Sequence, residues 1–270
     1  TDYGASCAQP RTATFSLPLD NLSEDCLTLS VWTPDLRPAQ KMPVMVWIHG
    51  GGFSAGSGNL PQANGTAIPR QGVIVVTINY RLAMFGFLAH PALATGGETA
   101  GNYGLLDSVA ALQWVQRNIH AFGGDPDRVT IFGESAGADV VNYLMVSPAA
   151  RGLFAQAISQ SSSVGMVPVP RLEQRVGFNP PAAQLAQSYI DKLGLPADAD
   201  IAASLRSLST GQLLAAMGER DRFTPIVDGR ILPDQPGRLF AKGEQQKVPY
   251  LTGGNSWEAS LGRLIGGGFS

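Results

Sequence analysis

Val129-Thr130-Ile131-Phe132-Gly133-Glu134-Ser135-Ala136-Gly137 is a β-branched apolar run that passes through a Gly-x-Ser-x-Gly turn directly into a helical pattern, Ala136–Val146, stopped before Pro148. Strand, sharp turn and helix in immediate succession are the context in which this motif forms a nucleophile elbow. The two glycines permit the strained turn, and the serine oxygen stands exposed over the carboxyl end of a sheet. Ser135 is therefore the candidate nucleophile, and the surrounding chain is expected to be α/β.

The sequence on either side supports that expectation. Residues 27–32, 43–49 and 73–80 are short runs rich in Val, Ile and Trp, which favours buried strands over helix segments. Leu105, Leu106, Val109, Leu112, Val115 and Ile119 recur at spacings of three and four, one face of a helix that ends before Gly123-Gly124. Residues 155–160 read as a fifth strand. Strands alternating with helices imply right-handed crossovers and a mostly parallel sheet flanked by helices. After about Val164 the prolines at 168, 170, 180 and 181 break the chain, and helical segments follow at 183–193, 201–208 and 211–217. This predicts a helical insertion over approximately residues 165–247 of a single catalytic domain, 1–270. A strand at 248–251 then leads through Gly253-Gly254 to Asn255.

Composition bounds the function. The 270 residues are 44% hydrophobic and 15% charged, below the roughly 25% charged of average soluble domains, so the chain should pack rather than stay disordered. Nineteen Lys+Arg against 21 Asp+Glu give a net charge of −2, and the basic residues are scattered, so nothing offers a footprint for nucleic acid. Apolar runs such as 44–48 and 73–76 fall far short of the roughly 18–20 residues that span a bilayer. The 32 glycines and 19 prolines follow no period, which reads as a loop-rich enzyme. The chain starts at Thr1 without signal-peptide features, so an upstream segment is expected to be missing.

A second chemical signal is His49-Gly50-Gly51-Gly52-Phe53, directly after a core strand. Consecutive glycines leave N–H groups unshielded and aimed at one spot, which is what a developing oxyanion needs. With the N–H after the nucleophile, the candidate donors are Gly51, Gly52 and Ala136.

Several strings in series then carry a resemblance: Glu24-Asp25-Cys26-Leu27, the HGGGF loop, Asn79-Tyr80-Arg81-Leu82 with Phe85-Gly86-Phe87, Gly101-Asn102-Tyr103-Gly104-Leu105-Leu106-Asp107, Phe122-Gly123-Gly124-Asp125-Pro126 and GESAG. Together they are similar to the type-B carboxylesterases, which include cholinesterases and bacterial p-nitrobenzyl-esterase-like enzymes. The resemblance implies an α/β-hydrolase fold, hydrolysis of a small-molecule ester through an acyl-serine, and a Ser-Glu-His triad. It brings no cofactor and no metal. By position it makes Glu258, in Gly254-Asn255-Ser256-Trp257-Glu258, the triad acid, and Glu134 a buried carboxylate that supports the site electrostatically. It also implies a Cys7–Cys26 disulfide, the alternative being two free thiols. The bond would favour an oxidising compartment, secreted or periplasmic.

The resemblance also sets limits. In the order Ser, acid, His the base must follow Glu258, yet His49, His90 and His120 all precede Ser135 and read as structural or surface residues. The histidine is thus expected beyond residue 270 or on a companion chain, the family being roughly twice this length and this chain a central portion incomplete at both ends. Where the family commonly has Gln-Ser-Gly after the fifth strand, this chain has Gln160-Ser161-Ser162-Ser163, suggesting a roomier or more polar acyl side. The competing reading is a non-catalytic cholinesterase-like binding or adhesion module on the same fold.

Overall fold

Ile74, Val75, Val76, Thr77 and Ile78 are buried on both faces, and Val44, Val46 and Ile48 are buried at every second position of the neighbouring run. Runs of this kind have to lie inside a sheet covered on both sides. The computed structural model describes residues 3–10, 19, 21–94, 99–196, 198–218 and 221–258, and it builds that sheet from six strands.

Strands β1 (Ser6–Cys7) and β2 (Leu22–Ser23) form a small parallel pair of their own. The main sheet contains β3 (Leu29–Trp32), β4 (Met42–Ile48), β5 (Ile74–Ile78), β6 (Gly124–Glu134), β7 (Gln156–Gln160) and β8 (Tyr250–Gly253), in the order β3-β5-β4-β6-β7-β8. β3 runs antiparallel to β5, and every other pairing is parallel. Helices α1 (Ala83–Phe87), α2 (Tyr103–Asn118) and α3 (Ala136–Val146) lie between strands. Helices α4 (Ala182–Lys192), α5 (Ile201–Ser207), α6 (Thr210–Ala216) and α7 (Pro236–Ala241) lie between β7 and β8. This is the α/β-hydrolase arrangement of a mostly parallel sheet flanked by helices.

Sequence and structure differ where local signals are short or cooperative. β6 has eleven residues where the apolar pattern predicts four, because pairing reaches back to Gly124 opposite Met42. The register shifts between Met42 and Val44, where Pro43 has no N–H to give to a ladder. Leu27 is exposed and outside the strand that begins at Leu29. α1 and α7 have five and six residues, too few to display a helical period. α3, by contrast, is buried all round, as expected of a helix whose every face is covered by protein.

Two buried features lend themselves to measurement. Cys7 and Cys26 are disulfide-bonded, 19 positions apart, and among the described residues no cysteine is free. His49, at the end of β4, stacks on Tyr80 at 4.4 Å, its Nδ1 lies 2.8 Å from the Gly50 carbonyl, and Nε2 has no partner among the described residues. Burial lowers its pKa to about 4, against the opposing pull of the Gly50 carbonyl.

Converting both cysteines to serine should cost about 3 kcal/mol, the chain-entropy value for a loop of this length, as read by denaturant unfolding. For His49 the folded pKa lies below the unfolded value, so its contribution is intact above about pH 6.5 and is lost as pH falls to about 4, as the unfolded chain takes up the proton first. The loss should be about 3 kcal/mol, and unfolding curves of His49→Gln at pH 7 and pH 4.5 should show that part of the pH dependence gone.

Candidate active site

The elbow exists because three backbones come closer than side chains allow. A Cβ on Gly137 would stand 2.1 Å from the Ile48 carbonyl oxygen, and one on Gly133 2.6 Å from the Gly137 carbonyl carbon. Only hydrogen fits at either position, so the first turn of α3 can press against the carboxyl end of β4. Between them Ser135 takes φ 55°, ψ −124°, a conformation that costs a non-glycine residue of order 1–3 kcal/mol and persists only where its surroundings enforce it. They do so through two backbone bonds: the Ser135 N–H donates to the Gln160 carbonyl at 2.9 Å, and the Asp139 N–H donates to the Ser135 carbonyl at 3.0 Å.

The glycine loop lies against this turn. A Cβ on Gly50 would be 2.7 Å from the Glu134 carbonyl oxygen and 3.2 Å from the Ser135 Cβ. Gly51, at φ 109°, accepts from the N–H groups of Ser54 and Ala55, while Gly52 is at φ 62°. Among the described residues the N–H groups of Gly51 and Gly52 donate to nothing. Ala136, first residue of α3, has one of the N–H groups that a helix start leaves free. The glycine loop and the Ser135–Ala136 turn, more than eighty residues apart in sequence, thus meet through Gly50.

Glu258 comes to the same end of the sheet from β8. Its Oε1 accepts from the Asn255 N–H at 2.7 Å and from the Ser161 hydroxyl. Those two bonds hold the carboxylate below its usual range. Glu134 moves the other way, raised by partial desolvation and then by the nearby Glu258 charge. The two carboxylates are neighbours pushed apart in acidity, the pattern by which one fold assigns different tasks to like groups. One expectation needs correction: Glu134 is exposed rather than buried, its surroundings desolvating it only in part.

None of the three histidines bonds to Ser135 among the described residues. His49 turns to Gly50, and His90 accepts from the Ala92 N–H and meets Gln187 at 3.1 Å. His120 lies in the turn just beyond α2, its main-chain carbonyl accepting from Lys41. No group of three or more His, Cys, Asp or Glu among the described residues is placed to hold a metal ion.

Sequence reasoning missed Ser161, the partner of Glu258. It also missed Asp139 and Asn142, which tie the loop after β7 to α3. The signal for the latter pair was present: two polar residues three apart, on one face of an otherwise apolar helix.

Residues 1–265 match the family model described as "Carboxylesterase family". Relatives include fumonisin B1 esterase of Sphingopyxis macrogoltabida, 45% identical over 87% of this chain and 43% of that protein. Another is para-nitrobenzyl esterase of Bacillus subtilis (strain 168), 40% identical over 94% of this chain and 51% of that protein. A solved PNB esterase structure superposes with a TM-score of 0.82 at 38% identity, covering 96% of this chain and 53% of that one. The chain spans about half the length of these relatives. By its elbow, its glycine loop, its sheet and this match along nearly all its length, the chain belongs to the carboxylesterase family.

Proposed function

We propose that the protein hydrolyses small-molecule carboxylic esters through an acyl-serine intermediate on Ser135. The observation that carries this reading is the strained Ser135 packed against the glycine loop, with an added Cβ on Gly50 only 3.2 Å from the Ser135 Cβ; the N–H groups of Gly51, Gly52 and Ala136 are read as the oxyanion donors. Strain and unsatisfied donors are costly, and acyl transfer uses both. The Ser135 hydroxyl attacks the ester carbonyl carbon as its proton passes to a histidine, and the three N–H groups receive the charge that develops on the carbonyl oxygen. Collapse of the tetrahedral intermediate expels the alcohol, which takes the proton from the imidazolium. Water then repeats the sequence on the acyl-serine and regenerates the hydroxyl.

In this reading Glu258 orients the histidine and stabilises its cation, and Glu134 adds negative potential beside the nucleophile. The histidine comes from polypeptide outside residues 1–270 or from a companion chain, since none of His49, His90 and His120 bonds to Ser135 among the described residues. The buried Cys7–Cys26 bond supports placement in an oxidising compartment, secreted or periplasmic. The esterase names of the relatives favour hydrolysis over the alternative of an adhesion module.

Full-length enzyme should be labelled stoichiometrically at Ser135 by an organophosphate, located by peptide mass spectrometry; absence of labelling would leave the binding-module reading standing. Glu258→Gln should fold and bind substrate normally yet lose about 10⁴-fold in kcat, measured with p-nitrophenyl esters. Turnover near wild type would make Glu258 an ordinary surface carboxylate.

A further inference from the structure

The last residue of β7 and the one after it bridge the two halves of the candidate site. Gln160 accepts the Ser135 N–H at 2.9 Å, and Ser161 donates its own N–H to the Gly253 carbonyl at 2.7 Å and its hydroxyl to Glu258. Ser161 does so at φ 58°, a left-handed conformation that a serine holds only under constraint. The constraint comes from α3. Asp139, 5% exposed, accepts from the Ser162 hydroxyl at 2.6 Å, the Ser163 N–H at 2.7 Å and the Ser163 hydroxyl at 2.7 Å. Beside it Asn142 donates to Ser159 at 3.0 Å and to Ser162 at 2.8 Å, and it accepts from the Tyr250 hydroxyl at 2.8 Å.

A carboxylate here needs explaining, since the helix is otherwise buried and apolar. Burial pushes its acidity toward the neutral form, and the bonds from Ser162 and Ser163 oppose that. Among the described residues both oxygens are committed to one short loop and none to a cation, so the group is spent on shaping residues 161–163. We propose that Asp139 is a positioning residue for the triad acid: by clamping Ser162 and Ser163 it holds Ser161 in its left-handed turn, and so aims the Ser161 hydroxyl at Glu258. Asp139 touches neither substrate nor the reacting atoms, and it acts through Ser161. The same residue donates its N–H to the Ser135 carbonyl, so one helical turn sets both nucleophile and acid.

The inference rests on the reading that Ser135 and Glu258 act in ester hydrolysis, and organophosphate labelling of the wild-type enzyme at Ser135 tests that reading separately. With labelling established, full-length Asp139→Ala should lose about 10- to 100-fold in kcat for p-nitrophenyl acetate with KM changed less than about threefold, the scale of a misplaced catalytic group. Asp139→Asn should recover most of the rate, because an amide oxygen can take the Ser162 hydroxyl and Ser163 N–H while its NH₂ donates to the Ser163 hydroxyl. In a Ser161→Ala background, Asp139→Ala should cost little further, since residues acting through one contact are not additive. Should Asp139→Ala fail to fold, the double change Ser162→Ala/Ser163→Ala removes the same bonds from the loop side and should show the same kcat loss. Wild-type kcat in a folded clamp variant, a loss confined to KM, an Asn variant as slow as Ala, or additivity with Ser161→Ala would each overturn the proposal.

Discussion

The contact on which the site depends is between two backbones, the start of α3 and the carboxyl end of β4. Gly137 approaches the Ile48 and His49 carbonyls so closely that a single added methyl would separate them. That approach brings the free N–H groups at the start of α3 over the end of the sheet and bends the chain at Ser135 into a conformation it would not choose alone. The helix can come this close because it is buried on every side by apolar contacts, which supply the stabilisation that holds the strained turn.

The same contact organises the glycine loop. The His49 carbonyl accepts from the buried Tyr80 hydroxyl at 2.9 Å, and the His49 ring stacks on the Tyr80 ring. The chain is thus pinned on one side of the loop just before it opens into Gly50, Gly51 and Gly52. On the other side Ala55 closes back on Gly51. The glycines between are thereby tied at both ends of the loop, the kind of anchoring that preorganised donors require.

Polar chemistry at the carboxyl end of the sheet is layered. Glu258 is exposed and held by two hydrogen bonds from its own neighbourhood, and Glu134 beside it is raised. Beside them the buried Asp139 takes Ser162 and Ser163, while Asn142 bonds the buried Ser159 and the exposed Tyr250, and together they flank the turn that carries Ser161. Buried polar networks specify a geometry best when every member is satisfied, and this one meets that condition around the loop it holds.

Much of this was legible in the chain. The strands announced themselves through β-branched runs, α2 through its three-and-four spacing, and the elbow through glycines flanking a serine between strand and helix. These signals are local, and local sterics alone require them. The assignment of Glu258 needed family resemblance, because a lone Glu after a strand has no local signature. Ser161, Asp139 and Asn142 stayed hidden for the same reason: their roles arise from bonds between residues 17 to 108 positions apart, across α3, β7 and β8. The sequence by itself determined the longer strands and helices of the sheet, and that a serine sits where the turn is strained. Only the tertiary structure decided which distant polar groups meet there, because hydrogen-bond partners are chosen by how the sheet orders its strands, and strand order is not written in any local pattern.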